Sequence, residues 1–179
     1  MSGTNKGQIF LVSAMILALV FLFFRPENLI VVGFESGESL VVDNLKNEFG
    51  HALSVSYFNS TEPERYLYTY LDSERILLKS QDMDLEGFGF IFTPERRWGL
   101  VNIYGSNITG TVTIGSDNFD INIGRDVYNS TFSSFGTVSI NITTPNGIVE
   151  RTFEIDERLS GYANLWVKDS MDVHLEILV

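Results

Sequence analysis

A chain of 179 residues with 12 basic and 23 acidic side chains carries a formal net charge of −11, and it contains no cysteine. The acidic balance argues against nucleic acid and anionic lipid headgroups as electrostatic partners, because both call for clustered Lys and Arg and only Arg96-Arg97 form a basic pair. The missing thiols exclude disulfide staples, cysteine-ligated zinc and a thiol nucleophile, so stability has to come from one core of ordinary size.

The first element lies between Lys6-Gly7-Gln8 and Arg25-Pro26, which bracket an uncharged apolar run from Ile9 to Phe24. The run leaves through Val20, Phe21, Leu22, Phe23 and Phe24, without the small residues of an Ala-x-Ala-like cleavage site, so an ordinary cleaved signal is not expected. As a helix rising ~1.5 Å per residue it covers about 24 Å of a ~30 Å hydrocarbon core. Such a deficit is absorbed by bilayer thinning, by snorkelling of Lys6 and Arg25, or by helix association. With the N-terminal amine and Lys6 ahead of the run, charge favours a cytoplasmic N-terminus. Everything beyond Gly7 then carries eleven basic residues against all 23 acids, or −12, on the other side.

Residues 5–24 resemble the class III signal sequences of archaeal type IV pilin-like proteins, in which a basic-Gly pair precedes Gln. The resemblance implies that a prepilin-type peptidase cuts between Gly7 and Gln8, and that the retained helix anchors the subunit in membrane lipid or packs against a second copy or other pilus and envelope subunits. Many pilins carry Glu at the fifth mature position, where it is associated with assembly. Here that position is Val12, which favours a membrane-held or minor subunit over the main subunit of a filament. An uncleaved signal anchor with an incidental Lys-Gly-Gln is the alternative.

Residues 26–38 read as a stem, with an apolar patch from Leu29 to Val32 and the breakers Gly33 and Gly37. From Ser39, Leu40, Val41, Leu45, Phe49, Ala52 and Leu53 recur at helical spacing and predict a short amphipathic helix that Gly50 weakens and His51 closes. Thr61 and Glu64 form a candidate capping box around Pro63 and open a second helix, whose apolar face is Leu67, Tyr70, Leu71, Leu77 and Leu78, with Tyr66 and Ile76 at the margins. The expected helical part is 39–82.

From Gly87 the period changes to two. The runs Phe88-Phe90-Phe92, Leu100 to Tyr104, Ile108-Val112-Ile114, Phe119-Ile121-Ile123, Val138-Ile140-Ile142, Val149-Arg151-Phe153-Ile155, Tyr162 to Val167 and Val173-Leu175-Ile177 predict about eight strands, each with one buried face. Pro145-Asn146-Gly147 marks a hairpin turn. The expected fold is mainly β in an α+β arrangement: a membrane helix over 1–25, a stem over 26–38, and a domain over 39–179 in which one or two helices precede a β-sandwich at 87–179.

Residues able to do chemistry are few. His51 and His174 are the only imidazoles and have no nucleophile near them in sequence, and no phosphate loop, metalloprotease motif or dinucleotide fingerprint appears. No catalytic residue and no cofactor is expected. Asp82, Asp84 and Glu86 with Gly87 match the opening of an EF-hand loop, but Thr93 stands where the bidentate Glu is required, so the segment reads as a solvated loop. Asp117, Asp120 and Asp126 are an equally weak acidic cluster. Asn59, Asn107, Asn129 and Asn141 begin Asn-x-Ser/Thr sequons, all beyond the apolar run, and Asn141 would point outward from its strand. The expectation is a non-enzymatic, single-pass cell-surface protein of structural, pilin-like type, with a membrane-tethered adhesin or ligand-binding sandwich as the alternative and an enzyme a distant third.

Overall fold

Periodicity switches from helical to alternating where the sequence indicates, and the elements follow. The computed structural model describes residues 37–168 and 172–179. The apolar run, Lys6, Gly7, Gln8, Val12 and most of the stem lie outside the described residues, and Leu40–Val179 forms one compact unit. Among the described residues two helices, α1 (Gly37–Asn59) and α2 (Pro63–Lys79), precede nine strands: β1 (Asp84–Phe92), β2 (Arg97–Asn102), β3 (Ile108–Ile114), β4 (Asp117–Ile123), β5 (Val127–Thr131), β6 (Gly136–Thr144), β7 (Gly147–Ile155), β8 (Ser160–Lys168) and β9 (Val173–Leu178).

Every pairing is antiparallel, and the strands form a five-stranded sheet in the order β5-β2-β1-β8-β9 and a four-stranded sheet in the order β4-β3-β6-β7. One apolar core joins the sheets, drawing Phe88, Phe90, Phe92, Trp98, Leu100 and Tyr162 from the first and Val112, Ile114, Val138, Ile140 and Ile142 from the second. Aromatic rings bridge the gap: Trp98 meets Phe119 at 5.0 Å, and Phe153 stacks on Tyr162 at 5.5 Å. A second core lies on the other face of the larger sheet, where Leu45, Phe49, Leu53, Leu67, Leu71 and Leu78 of the helices meet Leu85, Ile91, Val101, Ala163, Leu165 and Ile177.

Burial on both faces of β1 and β8 departs from the one-faced strands expected from alternation, and the two helices are the cause. They approach closely because the sheet offers glycine beneath them. A Cβ on Gly99 would stand 2.4 Å from Glu64 Cβ, and one on Gly161 would stand 2.3 Å from Leu53 Cδ1.

Several local expectations are corrected. α1 begins at Gly37, inside the expected stem, and runs nine residues past Gly50 to Asn59, so His51 sits exposed within the helix and does not close it. The stripe Leu45, Phe49, Ala52, Leu53 and Ser56 stays buried throughout and carries the helix across the glycine. α2 starts at Pro63 with Glu62 as its N-cap and no side-chain cap, so Thr61 and Glu64 do not form a capping box. Leu77 and Ile76 are exposed, because the buried stripe is Leu67, Leu71 and Leu78 and both lie off it. Asp84 and Glu86 belong to β1 and not to a loop; only Asp82 sits in the preceding turn, with φ 61. The additional strand is β5, too short and polar to show an alternating pattern. The expected hairpin holds: Thr144 pairs with Gly147 across Pro145-Asn146.

Close helix approach makes a sharp contrast between two glycines. Gly99→Ala should lower the unfolding free energy by about 1–3 kcal/mol, as expected when a packed contact is overfilled. Gly89→Ala, whose Cβ would sit 3.5 Å from Leu71 Cδ1 in ordinary contact, should be tolerated within about 1 kcal/mol. Urea unfolding followed by tryptophan fluorescence measures both, and equal losses would contradict this packing.

Candidate functional site

The sandwich has two open edges, and the side chains there differ in kind. Where β4 lies over β2 and β5, aromatic rings fill the gap, with Trp98 against Phe119 and Tyr128. Where β7 lies over β9 the filling is polar. Arg151 occupies the inward phase of β7 between Val149 and Phe153, and a guanidinium there needs a counter-charge. Glu176 of β9 supplies it: Arg151 Nε donates to Oε1 at 2.6 Å and Nη2 to Oε2 at 2.8 Å, a two-point pairing. Arg151 Nη1 donates to the Glu150 carbonyl at 3.0 Å, so all three guanidinium nitrogens are engaged.

Beneath this pair, Tyr162 donates its hydroxyl proton to Glu176 Oε1 at 2.9 Å. Burial, together with the adjacent Glu176 carboxylate, raises the Tyr162 hydroxyl well above the ordinary tyrosine value and keeps it a donor. The Arg151 guanidinium holds the Glu176 carboxyl below the usual glutamate range. Next along β8 stands Asn164, 1% exposed. Its Nδ2 makes only long contacts, 3.4 Å to Tyr162 Oη and 3.5 Å to Glu176 Oε1, and its Oδ1 has no partner among the described residues.

Further out, Trp166 and His174, register partners on β8 and β9, stack with ring centroids 4.4 Å apart at 21°. These side chains, with Thr144 and Asn146 from the β6–β7 turn, bound a cleft of about 130 Å³. Outside the cleft, beside Asn146, Lys168 pairs with Glu86, which raises the lysine above its ordinary value. The cleft can therefore bind and orient a small polar molecule. His174 is stacked on its indole partner, and Glu176 is paired with Arg151 and accepts from Tyr162.

The residues singled out from sequence are dispersed. Glu86 is committed to Lys168, and among the described residues no three His, Asp or Glu side chains converge where a metal ion could sit. Asp117 accepts from the backbone N–H and hydroxyl of Ser133, Asp126 approaches Arg65 at 3.9 Å, and Asp120 stands exposed on β4. Of the sequons, Asn59 ends α1 and Asn107 lies between β2 and β3, both exposed. Asn141 projects from the outer face of β6, in the pleat phase sequence implies, among Thr111, Ser139 and Thr152. All three of these amides have side-chain partners or stand exposed, with Asn141 Nδ2 donating to the exposed Glu150 at 3.1 Å. Asn129, also exposed, differs in its acceptor: its Nδ2, the atom a glycan would occupy, donates at 2.7 Å to Oε1 of Glu64, a carboxylate 1% exposed that also accepts from Arg97 Nη2 at 2.5 Å.

Sequence reasoning missed Glu64, Asn164 and the Arg151–Glu176 pair. Arg151 did leave a signal, because it interrupts an otherwise apolar inward phase from Val149 to Ile155. Glu176 left none, since a carboxylate between Leu175 and Ile177 looks like any solvent-facing residue. No protein-family model matches the chain, and no curated protein or solved structure is significantly similar to it.

Linkage through Glu176 has a defined sign. Its lowered folded value means that the stabilisation is fully present above the unfolded glutamate value of about 4.3, declines as pH falls toward the folded value, and is lost below it. The stability advantage of the native chain over Glu176→Gln should therefore shrink below about pH 4. Urea midpoints at pH 7 and pH 3 test this, and an advantage constant between them would contradict it.

Proposed function

We propose that this chain is a membrane-anchored, pilin-like cell-surface structural protein, a minor subunit or monotopic envelope component. Its N-terminus lies in the cytoplasm and the two-sheet domain outside. The observation that carries the reading is the succession of Lys6-Gly7-Gln8, a charge-free run to Phe24, and a compact unit beginning at Leu40. Among the described residues no helix is long and apolar enough to cross a membrane, and the run assigned that role precedes them.

The domain supports an exposed body in two ways. The outer face of its smaller sheet carries short polar side chains, with Thr111 and Thr113 of β3 beside Ser139 and Asn141 of β6 and Glu150 and Thr152 of β7. Such a face is stable in water without a covering partner. The aqueous surface is acidic, and the two arginines of its basic pair are engaged, Arg96 with the Ser133 carbonyl and Arg97 with Glu64 and the Thr61 carbonyl.

Protease added to spheroplasts should digest the domain and spare the membrane peptide. Mass spectrometry of the protein from its native membrane should find Gln8 as the N-terminus, and Gly7→Arg should abolish that processing. Any attached glycans should sit on Asn59, Asn107 or Asn141 and not on Asn129, whose amide is a partner of the buried Glu64 carboxylate, whereas the Glu150 that accepts from Asn141 is exposed and can turn to water. Protection of the domain until the membrane is broken would reverse the topology, and an intact Met1 species as the only form would remove the pilin-type signal.

A further inference from the structure

We infer that the cleft at the β7–β9 edge is a binding site for a single neutral sugar ring, a hexopyranose or the terminal residue of an uncharged glycan. The inference starts from an unmet demand. Asn164 is almost wholly buried, yet its Oδ1 has no partner among the described residues and its Nδ2 contacts are long. A buried amide left in this state costs about 1–3 kcal/mol, so the cleft favours an occupant that brings a hydrogen bond to its floor. The space is about 130 Å³, several times the roughly 30 Å³ share of one liquid water. It can seat one edge of a sugar ring with its hydroxyls, the rest of the ring standing in water at the open edge.

Charge decides the class of occupant. An anion requires an uncompensated cation, but the charge of Arg151 is matched by its two-point pairing with Glu176 and that of Lys168 by Glu86. A cation requires a free carboxylate, but both oxygens of Glu176 are held by Arg151, and Glu150, the other acidic residue at the cleft, lies in the outer pleat phase, where its carboxylate accepts from Asn141. With its charges matched internally, the cleft selects a neutral ligand. A hydroxyl group both donates and accepts, so it satisfies whichever end of the Asn164 amide it meets. The Trp166–His174 stack supplies the complementary apolar element, an aromatic surface with polar edges suited to the C–H face of a sugar ring. On the opposite wall the Thr144 hydroxyl is taken up by its own turn, and the side-chain amide of Asn146 brings the further hydrogen-bonding group.

The test uses the full chain in a detergent without a sugar headgroup. Glucose, galactose, mannose, N-acetylglucosamine and their methyl glycosides are titrated while tryptophan fluorescence is recorded, with calorimetry as a second readout. At least one sugar should give a saturable change, and the corresponding uronic acid should bind at least tenfold more weakly. Asn164→Leu should abolish the response. Because that substitution is buried, His174→Ala at the exposed rim provides an independent test and should weaken binding at least tenfold. Thr152→Ala, on the outer sheet face, should leave it unchanged. No saturable response to any neutral sugar would overturn the proposal, as would preference for the uronic acid or binding that survives both Asn164→Leu and His174→Ala. Because the readout is ligand binding, its failure leaves the topology and processing tests unaffected.

Discussion

β1 must be buried on both faces at once, and the layers are arranged around that demand. Phe88, Phe90 and Phe92 point into the gap between the sheets, while Leu85, Gly89 and Ile91 meet the helices. Burying one large apolar side chain is worth about 1.5–3 kcal/mol, so the three phenylalanines alone require a second sheet. The opposite phase is smaller and flatter, which lets α1 and α2 lie close enough for Phe49 and Leu71 to rest over Gly89. β8, the long neighbour of β1, repeats the division with Tyr162 on the sandwich side and Gly161, Ala163 and Leu165 under the helices.

Putting the bulk at the centre leaves the edges of the sandwich to be closed by what remains. At the β4 edge, rings close the gap. At the β7 edge, Arg151 and Glu176 span it, and a charge pair of this kind retains polar groups that cannot pack as densely as hydrocarbon. The cleft is the consequence: the pair reaches from β7 to β9, the Trp166–His174 stack lines the β8–β9 side, and Asn164 lies between. The same logic explains Glu64. The first turn of α2 sits directly over Gly99, too tightly for the carboxylate to reach water, so Arg97 and Asn129 turn toward it.

How much was legible in the sequence varied with the range of the interaction. Strands such as β6, where Val138, Ile140 and Ile142 alternate with Thr, Ser and Asn, are defined by local pattern, and so is the turn at Pro145-Asn146. The double burial of β1 was not, because a glycine such as Gly89 reads locally as a weak strand residue, and only the arrival of two helices makes Gly89 and Ile91 a core face. α1 outran its expected end because the buried stripe through Ser56 outweighs the propensity loss at Gly50, about 1 kcal/mol. The site was the least legible part. Arg151, Glu176 and Asn164 lie on three different strands, and their meeting depends on the edge-to-edge stacking of two sheets.

Amide hydrogen exchange under native conditions addresses the central claim, that β1 couples the helices and both sheets into one cooperative unit. If it does, the amides of Phe88–Phe92, the Leu67–Leu71 turn of α2 and Val138–Ile142 of β6 exchange with the same opening free energy, equal to that of global unfolding. If α2 instead exchanges at a much lower free energy while the strands stay protected, the helices are an addition to an independent sandwich, and β1 is not the element on which the structure depends.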